Sequence, residues 1–388
     1  MQRILFVDDE PRVLGGLRRM LLPIANEWAM EFVDSAAAAL TLLRERSFDV
    51  VVSDLRMPGM DGATLLREVK RIDPKVVRIA LSGHADRELA LRAVQVTHRF
   101  LTKPCDATQL RSVVQRACRL QNTIHAPAIR ELVGAVTSLP ALPEVHRELT
   151  EALSDGEPSI EHVAQIIEKD PAIASKALQI VNSSLFGLAR NVTDIRTAAS
   201  LLGIDAIQHL AFTAGIFEEL REGGMLTHDA LVAHRVHIEL MTRVATSILP
   251  DRADRALCVT TCLLHDIGEL IVPAATLSAL TNAVDATQAH AEIGGALLDL
   301  WGLPHSICEV VTYHHRPSRV RVAELDVLGA VHISDALAHA SQHAETPEGV
   351  LDRADFDLEY LSDLEVEDRL LDWARRTLES ALITVDES

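Results

Sequence analysis

Five short runs rich in β-branched residues, each followed by an amphipathic stretch, fill the first ~120 residues and limit the fold more than any other feature of the chain. The runs are Ile4–Val7, Met30–Val33, Val50–Ser53, Val76–Leu81 and Arg99–Leu101. Strands that alternate with helices must cross over between neighbours, so the expected architecture is a doubly wound, parallel α/β sheet. Pro11 stands where a first helical residue belongs, and Ala36–Leu43 fills another helix. Sites in such a sheet gather at the carboxyl ends of the strands, near the point where the strand order reverses.

The residues at those strand ends form a coherent set. Asp8 and Asp9 follow the first run, Asp54 the third, Ser82 the fourth, and Lys103 the fifth. Three converging carboxylates repel one another unless a divalent cation joins them, and Mg²⁺ suits an all-oxygen set. A carboxylate, Mg²⁺, a hydroxyl and a lysine are the parts needed to form and hold an acyl phosphate.

Val7-Asp8-Asp9-Glu10, Ser53-Asp54-Leu55-Arg56-Met57-Pro58-Gly59-Met60-Asp61-Gly62, Leu81-Ser82-Gly83 and Lys103-Pro104 stand in the order and spacing of the receiver (response-regulator) family, which this third of the chain resembles closely. The resemblance implies a flavodoxin-like (βα)5 fold with Asp54 as phosphoacceptor. It also implies Mg²⁺ on Asp8, Asp9 and Asp54, phosphoryl contacts from Ser82 and Lys103, and a cis peptide before Pro104. Phe100 occupies the place of the family's switch aromatic; a plain core residue is the other reading.

From about Ala128 strand signals vanish and apolar residues recur at helical spacing, so the expectation is α/β followed by an all-α bundle. Ser159 caps a segment with Ile160, Val163, Ile166 and Ile167 on one face, ending at Asp170-Pro171. Pro171 opens the next, with Ile173, Ala177, Ile180 and Val181 inward. Helical pattern continues through Leu231–Ile248, Arg255–Leu264 and Gly294–Leu300. The expected division is a receiver domain over 1–120, a helical linker over 121–130, a bundle over 131–343 and an acidic extension with a helix over 344–388. The last receiver helix, from Ala107 to about Gln121, would run into the linker and transmit motion.

Histidine concentrates in the helical half. His234, His265, Asp266, His290, His314, His315 and Asp335 come from several helices and form a donor set for a mono- or dinuclear centre of Fe, Mn or Zn. His237 falls off the face set by Leu231, His234, Ile238 and Met241 and reads as surface. Cys258 and Cys262 share a helix face as small core residues.

The helical half is similar to the HD superfamily of metal-dependent phosphohydrolases and, more closely, to its HDOD output branch. The resemblance rests on Ser138-Leu139-Pro140-Ala141-Leu142-Pro143, Ile167-Glu168-Lys169-Asp170-Pro171, Val181-Asn182-Ser183-Ser184-Leu185-Phe186-Gly187, Leu201-Leu202-Gly203-Ile204, Leu263-Leu264-His265-Asp266-Ile267-Gly268, Trp301-Gly302-Leu303-Pro304 and His314-His315-Arg316-Pro317. It implies a helical signalling module that is usually non-catalytic and acts through partners. The HD-GYP phosphodiesterases carry Lys where Glu269 stands, and a Gly-Tyr-Pro segment where this chain reads Arg316-Pro317-Ser318. A carboxylate at position 269 repels a phosphodiester. Three readings of the cluster stay open: a bound metal without turnover, a metal-free remnant, and a working hydrolase of a cyclic dinucleotide or nucleotide.

The expected function is a two-component response regulator. A sensor histidine kinase would phosphorylate Asp54 and thereby switch a partner-binding output domain, with a homodimer as a further partner. The formal charge of −19 and the lack of a basic recognition helix argue against direct nucleic-acid binding. No apolar run approaches the ~20 residues that cross a bilayer, and five cysteines without framework spacing suit a reducing cytoplasm.

Overall fold

The computed structural model describes the chain apart from residues 1, 25, 84–88, 90–91, 106, 124–132, 138, 140–142, 155–157, 185, 189, 213–227, 250, 273–285, 321–323 and 388. Residues 84–94, where the expected (βα)5 fold requires its fourth helix, and most of the expected linker lie largely outside the described residues.

Five parallel strands, β1 (Gln2–Val7), β2 (Trp28–Val33), β3 (Val50–Asp54), β4 (Val77–Ser82) and β5 (Arg99–Thr102), form one sheet in the order β2-β1-β3-β4-β5. It is the doubly wound, flavodoxin-like sheet expected from the alternating pattern, with boundaries moved by one or two residues. The reversal lies between β1 and β3, where Val7 pairs with Ser53, so Asp8 and Asp54 emerge side by side. Asp54 pairs with Leu81, and Ser82 with Thr102, which brings Ser82 and Lys103 to the same edge.

Helices α1 (Pro11–Leu21), α2 (Ala36–Glu45), α3 (Gly62–Ile72) and α4 (Ala107–Thr123) flank the sheet. Pro11 opens α1, and the Ser35 and Asp61 side chains accept from backbone N–H groups to cap α2 and α3. Gly62 is required at the start of α3, because a Cβ there would lie 1.9 Å from the carbonyl oxygen of Asp54.

The second half is helical: α5 (Pro143–Ser154), α6 (Ile160–Ile167), α7 (Pro171–Val181), α8 (Ile195–Leu202), α9 (Ile204–Phe212), α10 (His228–Ile248), α11 (Arg252–Leu264), α12 (Ala286–Trp301), α13 (His305–Tyr313), α14 (Val327–Ser341), α15 (Pro347–Leu351), α16 (Leu358–Leu364) and α17 (Glu367–Glu387). Asp170 caps α7 through the N–H groups of Ala172 and Ile173, and Ser159 caps α6. The acidic segment 344–387 carries the expected helix, α17, and packs on the bundle: Val350, Tyr360, Leu361, Trp373 and Ala374 share a core with α10, α11 and α14.

The expected single inward face of α7 is replaced by burial all round. Every residue from Ala172 to Val181 is buried, including Ser175, Lys176 and Gln179. One side of α7 packs in the bundle and the other meets the sheet domain. Lys176 Nζ donates to the carbonyl oxygens of Val94 (3.0 Å) and Thr137 (2.6 Å) and to Gln179 Oε1 (2.8 Å). It lies 5.6 Å from the centre of the Trp301 ring, and burial pulls its pKa down to about 7. Three acceptors and an aromatic face match the three N–H bonds of an ammonium. Gln179 donates to the carbonyl of His98 at 2.8 Å, and Ser184 Oγ to that of Phe100 at 3.1 Å. Arg99 and Arg116 reach Asp299 at the end of α12.

The segment after the linker is pinned to the same domain. Lys70 donates to Thr137 Oγ1, which donates to the carbonyl of Gln95. His98 Nδ1 faces the backbone N–H of Arg78 at 3.0 Å, and its Nε2 lies 3.0 Å from the carbonyl oxygen of Gly134. Only a neutral ring protonated on Nε2 satisfies both contacts. Burial and the adjacent Arg78 guanidinium hold its pKa well below the usual histidine value.

Candidate functional site

Two clusters carry chemistry, one at the strand ends and one inside the bundle. At the strand ends, Asp8, Asp9 and Asp54 each offer a carboxylate oxygen within 4.8 Å of the others, an arrangement that could hold a divalent cation. Asp8 and Asp54 are buried, and Asp9 is half-buried at the rim. Lys103 Nζ bridges Asp8 Oδ2 at 2.5 Å and Asp54 Oδ1 at 2.8 Å. Burial raises the Asp54 pKa, Lys103 pulls it back, and the neighbouring carboxylates add to the rise. For Lys103, burial opposes charge, but Asp54 and Asp8 outweigh it and raise its pKa. Crowded carboxylates around one ammonium push both groups in the same direction.

Ser82 Oγ is buried without a hydrogen-bond partner, an uncommon state for a hydroxyl that becomes reasonable if an incoming oxygen is its partner. The Lys103–Pro104 peptide is cis. Phe100 is 2% exposed, and so already lies inside the fold. The residues expected to act together at this end are thus adjacent.

In the bundle, the expected histidines and aspartates converge from α10, α12, α14 and the turns after α11 and α13. Asp266 Oδ1 lies 2.9 Å from His290 Nε2 and 3.5 Å from His314 Nε2; its Oδ2 lies 3.0 Å from His265 Nε2 and 3.9 Å from His234 Nδ1. Asp335 Oδ1 lies 3.6 Å from His265 Nε2, and its Oδ2 3.9 Å from His315 Nδ1. His290 and His315 face each other Nε2 to Nε2 at 3.2 Å. Gly268 permits this closeness, since a Cβ there would sit 2.0 Å from the carbonyl oxygen of His290.

Two of the rings have a fixed tautomer. His265 Nδ1 faces the carbonyl of Cys262 at 2.8 Å, and His314 Nδ1 that of Val311 at 2.9 Å. A carbonyl only accepts, so each Nδ1 carries the hydrogen. In the neutral ring each Nε2 is then a bare lone pair, and both are buried without a hydrogen-bond partner, as is Asp266 Oδ1. Lone pairs facing carboxylates repel unless a cation, proton or metal ion, lies between them. Metal-ligating imidazoles commonly donate their other nitrogen to a carbonyl in this way.

Burial opposes charge on His265, but Asp266 and Asp335 outweigh it and raise its pKa. Burial takes His234 down to about 4 and, together with His314, His315 down to about 2. These last two rings are therefore neutral, as ligands must be. His332 supports the cluster without joining it: Nδ1 donates to the carbonyl of His314, and Nε2 accepts from the N–H of Asp357. Glu269 is 37% exposed, with Oε1 3.6 Å from His290 Nδ1, so a carboxyl group stands at the rim; burial and Asp266 raise its pKa.

One expectation is corrected. His237 is not a surface residue: it is buried, and its Nε2 lies 2.9 Å from Asp335 Oδ1. The face reading assumed one packed side for α10, but α10 is covered by α11, α14 and α17 together. His339, four residues after Asp335, also reaches Asp335 Oδ1, at 3.4 Å. The i, i+4 spacing of two ligand-type residues was the available signal. Cys258 and Cys262 are buried core residues, as expected.

Comparison with known proteins agrees with this division. The family model "Response regulator receiver domain" matches residues 4–115, and "HDOD domain" matches 139–317. Among curated proteins, the chain is 26% identical over 230 residues to an uncharacterized protein of Treponema pallidum (strain Nichols), covering 54% of this chain and 44% of that one. It is 34% identical over 156 residues to the C4-dicarboxylate transport transcriptional regulatory protein DctD of Rhizobium meliloti (strain 1021), covering 40% of this chain and 30% of that one. The chain thus spans less than half the length of these relatives. Among solved structures, it is similar to the signal receiver domain of an HD domain-containing protein from Pseudomonas fluorescens Pf-5. The identity is 33% and the TM-score 0.30, over 32% of this chain and 98% of that one. Among the described residues no helix is long and apolar enough to cross a membrane.

Proposed function

Because this chain joins a response regulator receiver domain to an HDOD domain, we propose that it is a two-component response regulator in which phosphorylation of Asp54 controls how the HDOD domain sits on β5. A sensor histidine kinase supplies the phosphoryl group: the phosphorus–nitrogen bond breaks and an acyl phosphate forms on Asp54. Asp8, Asp9 and Asp54 would hold Mg²⁺, which would supply positive charge against the phosphoryl oxygens. Lys103 exchanges a carboxylate partner for a phosphoryl oxygen, and Ser82 gains the partner it lacks.

The observation that carries the output half is the bonding of α7 to the receiver. Gln179 and Ser184 hold the carbonyls of His98 and Phe100, and Lys176 that of Val94. A shift of β5 on phosphorylation alters these bonds and exposes HDOD surface to a protein partner. Homodimerisation through the same receiver face requires that α7 leave it first.

The test is exposure of the purified chain to a small-molecule acyl phosphate with Mg²⁺. One phosphoryl group is expected by intact mass, none on Asp54→Ala, together with faster amide exchange in α7 of wild type. Equal incorporation by Asp54→Ala overturns the acceptor assignment; unchanged exchange in phosphorylated α7 overturns the coupling.

A second reading concerns the bundle centre. The Nε2 atoms of His265 and His314, turned toward carboxylates without a hydrogen-bond partner, support a bound divalent transition metal, held either by Asp266, His290, His314 and His315 or by His265, His314 and Asp335; His234 lies at the margin. Such an ion would polarise a bound water. Glu269 at the rim disfavours a phosphodiester, so we read the centre as structural, and the rival as a receiver-gated phosphohydrolase. Turnover of a cyclic dinucleotide by metal-loaded protein, lost in Asp266→Ala, would establish the rival.

A further inference from the structure

We propose that His237, Asp335 and His339 form a separate, outer binding position for a divalent transition-metal ion. This goes beyond the inner centre, because neither His237 nor His339 belongs to its donor set. Each of the three offers a ligand atom within 4.8 Å of the others. Asp335 and His339 lie one turn apart on α14, so their side chains share a face; His237 reaches them from α10. The two rings stand with centres 4.0 Å apart and planes inclined by 36°, both directing Nε2 at the same oxygen, Asp335 Oδ1, at 2.9 and 3.4 Å.

Hydrogen bonding alone accounts poorly for this grouping. His265 Nε2 also faces Asp335 Oδ1, so three imidazoles are aimed at one carboxylate oxygen. His237 Nδ1 is buried and has no partner, so no second hydrogen bond explains where its ring is held. A metal ion gives two imidazoles and a carboxylate a common reason to meet.

Two nitrogens and one oxygen are the donors that Zn²⁺ accepts, and three protein ligands leave its fourth position open. That position is accessible: His339 is 59% exposed, and Asp335 and His339 line an open cavity of 620 Å³ that also carries His343 and Arg353. His339 opens this position to the cavity, so its ion can exchange with solvent, although His237 and Asp335 are buried. An ion here would tie α10 to α14.

The experiment uses the full chain, stripped with a chelator and titrated with Zn²⁺ by calorimetry and elemental analysis. His339→Ala, a change at an exposed position, is expected to lose one equivalent relative to wild type and keep the rest. His339→Asp, which restores a ligand, is expected to regain it. His314→Ala is expected to lose inner zinc while keeping the equivalent that His339→Ala removes. If His339→Ala binds as many equivalents as wild type, or wild type binds none, the outer position is overturned. Inner zinc that disappears only in His314→Ala leaves the centre of the previous section intact, so the two failures are distinguishable.

Discussion

Ser184 Oγ donates to the carbonyl oxygen of Phe100 at 3.1 Å, which fixes a loop of the HDOD domain to the receiver's edge strand three residues before Lys103. The strand-end carboxylate pocket and the HDOD domain are therefore joined through a few bonds of β5. Together with Lys176 and Gln179, this contact would pass a movement of the strand to the domain boundary.

Lys176→Met removes a buried amine donor and leaves the carbonyls of Val94 and Thr137 without it. The expected cost is about 2 kcal/mol, the usual scale for leaving a buried acceptor unpaired. Urea denaturation should show either a lower midpoint or separate transitions for the two domains. Phosphate incorporation at Asp54 should persist, since Lys176 does not touch that pocket.

Gly62→Ala forces a Cβ to within 1.9 Å of the Asp54 carbonyl oxygen unless α3 moves. The expected outcome is a loss of about 2–3 kcal/mol, typical of overpacking against backbone, with slower phosphorylation because Asp54 is displaced. Stopped-flow measurement with a small phosphodonor reads the second effect; a variant with wild-type stability and rate contradicts the contact.

Acid should weaken the fold partly through His98. Its folded pKa is depressed below the usual value, so between that pKa and about 6.5 the unfolded chain binds more protons than the folded one. Stability then rises with pH across this window and is lost as pH falls below about 6.5. One such group contributes a slope of up to about 1.4 kcal/mol per pH unit. His98→Gln should have a shallower slope than wild type in urea titrations from pH 7 to 5; an equal slope contradicts the assignment.

Removal of metal from the bundle should lower the melting temperature. An ion present at 100 times its dissociation constant stabilises the folded state by about 2.7 kcal/mol. A chelator should therefore depress wild-type melting, and His265→Ala should show a smaller response to it. Indifference of wild type to chelation would favour protons over metal among the histidines.

The receiver pocket was legible because each participant follows a strand and a parallel topology dictates which strand ends meet. Asp8, Asp54, Ser82 and Lys103 needed no long-range information beyond the strand order. The inner histidine–aspartate cluster was legible as residue types. His237 was not, because a helix packed on several sides has no single apolar face to read from. The docking of α7 was hidden for another reason: Lys176, Gln179 and Ser184 are bound to backbone carbonyls, and a carbonyl exists at every position and leaves no mark in a sequence. Residues 344–388 read as acidic, while Tyr360 and Trp373, which anchor them, are too few to change that average.

The burial of α7 on every side bears on how such a chain can be rearranged. Domains of this kind invite transplantation, one receiver cassette for another. Here the foreign cassette would have to offer carbonyls where Val94, His98 and Phe100 now stand, at the same heights above α7. A chimera joined within residues 124–132 would still strip α7 of those carbonyls. Exchange should succeed only when α7 and the edge strand travel together, which makes them a single unit for engineering.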